Sequence, residues 1–247
     1  AGAYYSLGGG YWQLVASRYG ANGGIIAGRD DGVVVWGEVA DGRLGYSIGA
    51  FEGHTLGIGS LTQSQASQAG TSSKDSLMYA GRLQYNFWDR EPGYYGTGNY
   101  LGTKDILAIG IAGRYQKNGV LTGDPVTPTP GVKGDYSSYN IDFLLEKKIA
   151  GSGAVSFEAA FYDYDTDNVI ASEEGEAYSV AAGYIFQQTV GWGRFQPFVR
   201  WQRFNDDANI EPKQYDVGVL YVIDGYNAQL SGTYRKTKNK LGLNVDA

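Results

Sequence analysis

One pattern repeats about a dozen times along this chain: roughly ten residues rich in Tyr, Val, Ile and Gly, in which every second side chain is apolar. In segment 77–88, one face carries Leu77, Tyr79, Leu83, Tyr85 and Phe87, and the other carries Arg82, Gln84 and Asn86. The alternation predicts β-strands with one apolar and one polar face, which is typical of a membrane-spanning β-barrel. A soluble sandwich, whose apolar faces pack against a second sheet, produces the same alternation in any single segment.

The alternating segments predict an all-β, antiparallel barrel with about 12 strands, treated as one domain over residues 1–247. The predicted strands are 9–18, 32–39, 43–52, 77–88, 104–116, 136–149, 153–164, 176–187, 193–204, 213–223, 226–236 and 239–246.

The links between these strands alternate in length. Short links fall at 41–42, 150–153, 189–193 and 224–225, and long polar links fall at 19–31, 53–75, 117–135, 165–175 and 205–212. Short turns on one side and longer loops on the other are expected of an outer-membrane barrel, whereas a soluble sandwich has no reason to keep that order. Segment 89–103 breaks the rule, because it is long where a short turn is due.

Composition excludes several classes of protein. No run of about 18 apolar residues is present, so a transmembrane helix is not predicted. The chain has no Cys, which excludes disulfides and thiolate metal sites. Its formal net charge of -6 argues against nucleic acid as a partner.

Several segments resemble the phosphate-selective porin O and P family of Gram-negative outer membranes. The residues that carry the resemblance are GRDDGVVVWG at 28–37, GRLGYSIGAFEG at 42–53, AGRLQY at 80–85, KDIL at 104–107, FQPFVRWQRF at 195–204, YDVG at 215–218 and IDGYNAQL at 223–230. The similarity extends from about residue 28 to residue 236, and these motifs encode strand and turn geometry more than chemistry.

The resemblance implies a homotrimeric porin in the lipid of the bacterial outer membrane, with typically sixteen strands, for passive diffusion of small solutes. The chain departs from this pattern in its strand count and in ending on Ala247, where the family has an aromatic residue. Both departures predict an incomplete chain, and a smaller barrel is the alternative.

If the apolar set faces lipid, the polar set lines the lumen. Charged groups in a narrow aqueous pore set its ion preference, because a low-dielectric wall focuses their fields. The predicted pore-lining residues are Arg82, Arg114, Asn140, Asp142, Glu146, Glu158, Gln196, Arg200, Asp216, Gln229 and Arg235.

The charges in this set are segregated along the chain. Arginines lie on segments 77–88 and 104–116, and carboxylates on 136–149 and 153–164. One hypothesis is a field across the pore, and the alternative is that the charges pair across strands and stiffen the wall. The acidic balance predicts a weakly cation-preferring or general pore, so the anion-binding residues of the family are not transferred to this chain.

Two loops are candidates for further roles. Loop 54–75 either folds inward and narrows the channel or is a mobile surface loop. Loop 163–174 carries Asp163, Asp165, Asp167 and Glu174 at positions 1, 3, 5 and 12 of a calcium-loop pattern, although Asn168 replaces the turn Gly. A Ca²⁺ site and a solvated acidic loop are both compatible with this partial match, and no other cofactor is predicted.

Three functional classes remain. A porin that conducts ions and small hydrophilic solutes is the preferred interpretation, and no enzymatic activity is predicted. The alternative is a structural barrel that sheathes a partner protein, such as an electron carrier crossing the membrane. In a barrel hydrolase, His54 would be the only histidine available, so a substitution there would abolish activity.

Overall fold

The computed structural model of the chain describes residues 32–52, 56–57, 76–91, 99–121, 132–169, 174–209, 211–238, 240 and 245–246. These residues form strands and connections, and no helix among them has the length and hydropathy to cross a membrane. The strands are β1 (Gly32–Val39), β2 (Leu44–Phe51), β3 (Leu56–Gly57), β4 (Met78–Asn86), β5 (Ile106–Leu121), β6 (Lys133–Ile149), β7 (Gly153–Asp165), β8 (Gly175–Phe186), β9 (Arg194–Asp206), β10 (Lys213–Asp224), β11 (Ala228–Lys238) and β12 (Val245–Asp246).

The strands form a single sheet in the order β1-β2-β4-β5-β6-β7-β8-β9-β10-β11-β12. Each neighbouring pair in this order is antiparallel. The two-residue strand β3 differs, because it adds in parallel to β5 with Leu56 beside Val120. The prediction of an all-β antiparallel architecture is confirmed.

Most predicted strands lie close to their predicted bounds, and the largest difference is at the connection between β5 and β6. These strands extend to Leu121 and from Lys133, into a region predicted as loop. The pairing register shifts between Gln116 and Val120, and Asn118 has a φ of 52°. Residues 117–119 of β5 lie in this β-bulge, and pairing between β5 and β6 resumes at Val120. Within predicted strand 239–246 the structure describes residues 240, 245 and 246, of which the last two form β12, and predicted strand 9–18 lies outside the described residues.

The connections lie alternately at two ends of the sheet. Among the described residues, the turn end carries 40–43, 87–91, 99–105, 150–152, 187–193 and 225–227, and the loop end carries 52, 76–77, 132, 166–169, 174, 207–209, 211–212 and 240. At the first turn, Asp41 and Gly42 have φ values of 55° and 74°, which places the predicted turn residues in left-handed conformations. The links 40–43, 150–152 and 225–227 are short as predicted and 87–105 is the predicted exception, but 187–193 is not shorter than 207–212, so the alternation is confirmed only in part.

The distribution of polar and apolar side chains over the two faces of the sheet is the reverse of that in a soluble sandwich: polar side chains are buried and apolar ones are exposed. On the inner face, charged side chains such as Asp142, Glu158 and Asp216 are buried. This face is covered because the sheet curls: Tyr164 on β7 contacts Phe204 on β9 with ring centroids 6.1 Å apart, across the intervening β8. The outer face is apolar and exposed along Val35, Ile48, Leu83, Ile111, Ile141, Val180, Val199 and Val217.

The prediction of a closed barrel is not met by the described residues. Within these ranges β1 pairs only with β2 and β12 only with β11, so the two edges of the sheet are not joined. The described structure is therefore an open, curled sheet.

Candidate functional site

All eleven residues predicted to line the lumen lie on the inner face. Directly paired residues of neighbouring antiparallel strands project to the same face, so the strand registers place these side chains together. Seven of them are buried, namely Asn140, Asp142, Glu146, Glu158, Gln196, Arg200 and Asp216, and the half-buried ones are Arg82, Arg114, Gln229 and Arg235. Their role as the lining of a conducting pore stays a prediction.

A three-residue ion cluster crosses β9, β10 and β11. Asp216 pairs in register with Arg200 on one side and with Arg235 on the other. Arg200 donates from Nη2 to Oδ2 of Asp216, and Arg235 Nε lies 3.0 Å from Oδ1 of Asp216. The side chains of Arg200 and Asp216 are 1% and 0% exposed. One carboxylate therefore compensates two guanidinium groups, of which that of Arg200 is buried and that of Arg235 is partly exposed.

A second ion pair spans a strand. Arg82 on β4 donates from Nη1 and Nη2 to the two carboxylate oxygens of Asp142 on β6, at 2.5 and 2.7 Å. The intervening strand β5 has Gly110 beside Asp142, and a Cβ there would lie 2.1 Å from Arg82 Nη2. Asn140 also donates to Asp142 at 2.9 Å. The bidentate pair therefore requires glycine at position 110, because any larger residue would clash with the guanidinium of Arg82.

These contacts distinguish the two interpretations of the segregated charges. The carboxylates of Asp142 and Asp216 are each neutralised by arginines on other strands. Arg114 instead contacts Tyr136, with its guanidinium 4.7 Å from the ring centroid. Pairing that stiffens the wall therefore describes these charges better than a uniform field across the inner face.

The long turn-end connection folds onto the inner face, which gives a physical account of its length. The amides of Tyr100 and Gly102 donate to the carboxylate of Glu146 at 2.8 and 2.5 Å. Asn99 donates to Gln196 on β9 at 3.2 Å, and its carbonyl accepts from the Tyr226 hydroxyl. Residues 99–105, called the inserted segment below, thus connect β6, β9 and the β10–β11 turn.

Leu101 anchors the inserted segment through apolar packing. It is 4% exposed and lies in a cluster with Ala154, Ala181, Ile185, Phe198, Leu220 and Val222, which come from four strands of the wall. Leu101 adopts a φ of 56°, a conformation that is strained for a branched side chain. The burial of its side chain in this cluster offsets that strain.

The loop end of the inner face carries an aromatic cluster that sequence reasoning missed. Its buried members are Val120, Tyr136, Ala160, Tyr162, Tyr164, Ala177 and Phe204. The sequence contained an indication of this cluster: Tyr162 and Tyr164 are separated from Glu158 by even numbers of positions in β7, which places them on the same face as Glu158. Beside this cluster lies a cavity of about 290 Å³, lined in part by Arg82, Arg114 and Asn140.

In the acidic loop between β7 and β8, carboxylate oxygens accept hydrogen bonds from other residues of the same loop. Glu174 Oε2 accepts from the Thr166 hydroxyl at 2.8 Å and from the Asn168 amide at 3.0 Å. Asp165 accepts from the Asp167 amide at 2.7 Å. In the described ranges no group of three or more acidic, His or Cys side chains is arranged around one ion, and the site of Asp163, Asp165, Asp167 and Glu174 stays a prediction. Loop 54–75, apart from the backbone of β3, and His54 lie outside these ranges.

Glu91 links the turn end to the pH dependence of stability. It accepts from the Tyr100 hydroxyl at 2.8 Å, and burial raises the pKa of its carboxyl. Stability from a group with a raised pKa is present below the unfolded pKa and is lost as pH rises through the folded pKa. We expect Glu91→Gln to increase the free energy of unfolding at pH 7. Above about pH 4.3, the ordinary glutamate pKa, the free energy of unfolding should fall less steeply with rising pH in the variant than in the wild type. Denaturant unfolding of detergent-solubilised protein across pH 4 to 7 measures this.

Asp105 provides a control with the opposite sign. Hydrogen bonds from the Lys147 side chain and from the Lys148 amide lower its pKa. Its stabilising contribution is present above the unfolded pKa and is lost as pH falls through the folded pKa. Asp105→Asn should therefore reduce stability at neutral pH and leave it unchanged in strong acid. A Glu91→Gln curve parallel to that of the wild type would contradict the assignment.

Comparison of the chain with protein-family models, with curated proteins and with solved structures gives no match. The resemblance to a porin family accordingly stays a prediction.

Proposed function

We propose that this protein is a porin-like β-barrel of the bacterial outer membrane, through which ions and small hydrophilic solutes diffuse passively. The observation that carries the proposal is the inverted distribution of side chains. Apolar residues such as Ile111 and Val217 are 49% and 57% exposed, whereas charged residues such as Asp216 and Glu158 are 1% exposed. Lipid is a solvent in which an apolar outer face and a polar inner face are both favourable.

The inner face supports passage of small solutes in preference to sheathing of a protein. The inserted segment and the loop-end aromatic cluster occupy space that a protein passenger would need. The cavity of about 290 Å³ beside the aromatic cluster has the size of a small molecule, and its lining includes Arg82, Arg114 and Asn140 together with apolar side chains. Barrel closure and homotrimer assembly belong to the proposal through the family resemblance, and no enzymatic step is included in it.

A pair of single cysteines tests the proposed environment of each face. The chain has no Cys, and the neighbours Ile111 and Ala112 on β5 lie on the outer and inner face. We expect Ala112→Cys to react with a charged, water-soluble thiosulfonate reagent in liposomes, and Ile111→Cys to resist it. A nitroxide on Ile111→Cys should show high oxygen and low nickel-complex accessibility, as lipid-exposed sites do. Equal labelling of both positions would contradict a membrane-embedded outer face.

Conductance tests transport itself. Purified protein in a planar bilayer should give stepwise, ohmic current, and the labelled Ala112→Cys variant should give a smaller step than the unlabelled one. Protein that inserts and shows the expected labelling difference but conducts no ions would refute the porin proposal. That result would favour a sheath or plugged barrel.

A further inference from the structure

Two side chains on β7 leave oxygen atoms unsatisfied in the middle of the inner face. Glu158 is 1% exposed, and neither of its carboxylate oxygens has a hydrogen-bond partner among the residues that the structure describes. Ser156 is 2% exposed, and within the same residues its hydroxyl has none. Since the two residues are separated by one position in a strand, their side chains project from the same face next to each other. Three buried oxygens therefore lie on one face of β7 without a described donor.

The neighbouring strands supply no group that could satisfy them. Glu158 is flanked in register by Leu144 and Ala181, neither of which has a polar side chain. Ser156 is flanked by Gly183 and by Glu146, whose carboxylate already accepts two amides of the inserted segment.

One cationic group that acts on Glu158, the guanidinium of Arg200, is bound to another carboxylate. Arg200 lies one strand beyond Ala181, about 10 Å from β7 by the spacing of strands. Its guanidinium donates to Asp216. The negative charge of Glu158 is attracted by Arg200 and repelled by Glu91, Asp142 and Glu146. The local field at Glu158 thus favours an additional positive charge.

A buried ionised carboxylate without a partner is strongly unfavourable, and a bound cation removes that cost. We propose that Glu158 and Ser156 bind a partly dehydrated monovalent cation of the K⁺ type on the inner face. One carboxylate and one hydroxyl suit a single positive charge, with water completing the shell. Divalent Ca²⁺ takes six to eight oxygens, usually from several carboxylates, so it fits this site less well. The inference deepens the proposed function, because it identifies which ion interacts with the wall and where.

The first test is ion selectivity. In a KCl gradient across a planar bilayer, we expect Glu158→Gln to lower the ratio of K⁺ to Cl⁻ permeability by on the order of threefold, since a fixed wall charge is lost. Ser156→Ala should change the ratio less but should shift saturation of the current to higher K⁺ concentration. Glu176→Gln is the matched control, because Glu176 is an exposed glutamate on β8 and undergoes the same change of charge. Open Glu158→Gln channels with wild-type selectivity and saturation would overturn the site.

A binding measurement separates this site from the proposed function. Tl⁺, which substitutes for K⁺, is titrated into the folded, detergent-solubilised protein and followed by thallium NMR. Saturable binding that is lost in Glu158→Gln and kept in Glu176→Gln supports the site even if the protein does not conduct. Absence of saturable Tl⁺ binding to the wild type overturns the site, including the case in which the carboxyl is protonated, whether or not the protein forms channels.

Discussion

Leu101→Asp is expected to increase the single-channel conductance about two- to fivefold, because it releases the inserted segment from the inner face. Leu101 packs against residues of β7, β8, β9 and β10, and an ionised carboxylate in that apolar cluster would lack a partner. Aspartate tolerates the left-handed backbone at this position better than leucine, so the effect would come from burial and not from the backbone. Single-channel recording in a planar bilayer measures it.

Leu101→Met is the control, since it conserves volume and should cost less than about 1.5 kcal/mol. We expect its conductance to match that of the wild type. A Leu101→Asp protein that is folded and inserted, yet conducts with wild-type amplitude, would show that the inserted segment does not limit the pore. Trypsin sensitivity of the turn end in liposomes provides an independent measure of whether the segment has left the inner face.

Asp216→Asn is expected to lower the free energy of unfolding by about 3–5 kcal/mol. The substitution preserves the shape of the side chain but leaves the guanidinium of Arg200, at 1% exposure, without its compensating charge, and Arg235 loses the same partner. Urea or heat unfolding of the detergent-folded protein, followed by the gel mobility of the folded form, measures the loss. The effect should largely persist at high salt, because the Arg200–Asp216 pair is buried and therefore poorly screened.

Two further variants identify the cause of that loss. The double variant Asp216→Asn with Arg200→Gln should recover part of the stability, because it removes the uncompensated charge. Glu211→Gln is the control at a more solvated ion pair: Glu211 is half-buried, its partners Arg203 and Lys240 are 33% and 53% exposed, and its removal should change stability little. Equal effects of Asp216→Asn and Glu211→Gln would contradict a buried ion cluster on the inner face.

Much of the fold was predictable because a strand has a side-chain period of two. Alternation along 77–88 identified β4 and assigned Arg82 and Leu83 to opposite faces, and the registers place them so. The same parity put Glu158, Arg200 and Asp216 on one face although they are distant in sequence. Turn chemistry located the connection at Asp41 and Gly42, where only a left-handed backbone closes the hairpin.

The site itself was less predictable, because parity assigns a face but not a neighbour. Arg82 reaches Asp142 only because register places Gly110 between β4 and β6. Register depends on pairing between segments distant in sequence, and local periodicity does not encode it. For the same reason the sequence predicted segregated charges but not which carboxylates would be neutralised.

The sequence by itself determined that the chain forms antiparallel strands with an apolar outer and a polar inner face, since both follow from local alternation and turn residues. Only the tertiary structure decided that residues 99–105 fold inward onto Glu146 and that no described residue donates a hydrogen bond to Glu158. These are properties of groups brought together by the curl of the sheet. Their energies depend on which donors lie within hydrogen-bonding distance, and that is settled by the packing of strands far apart along the chain.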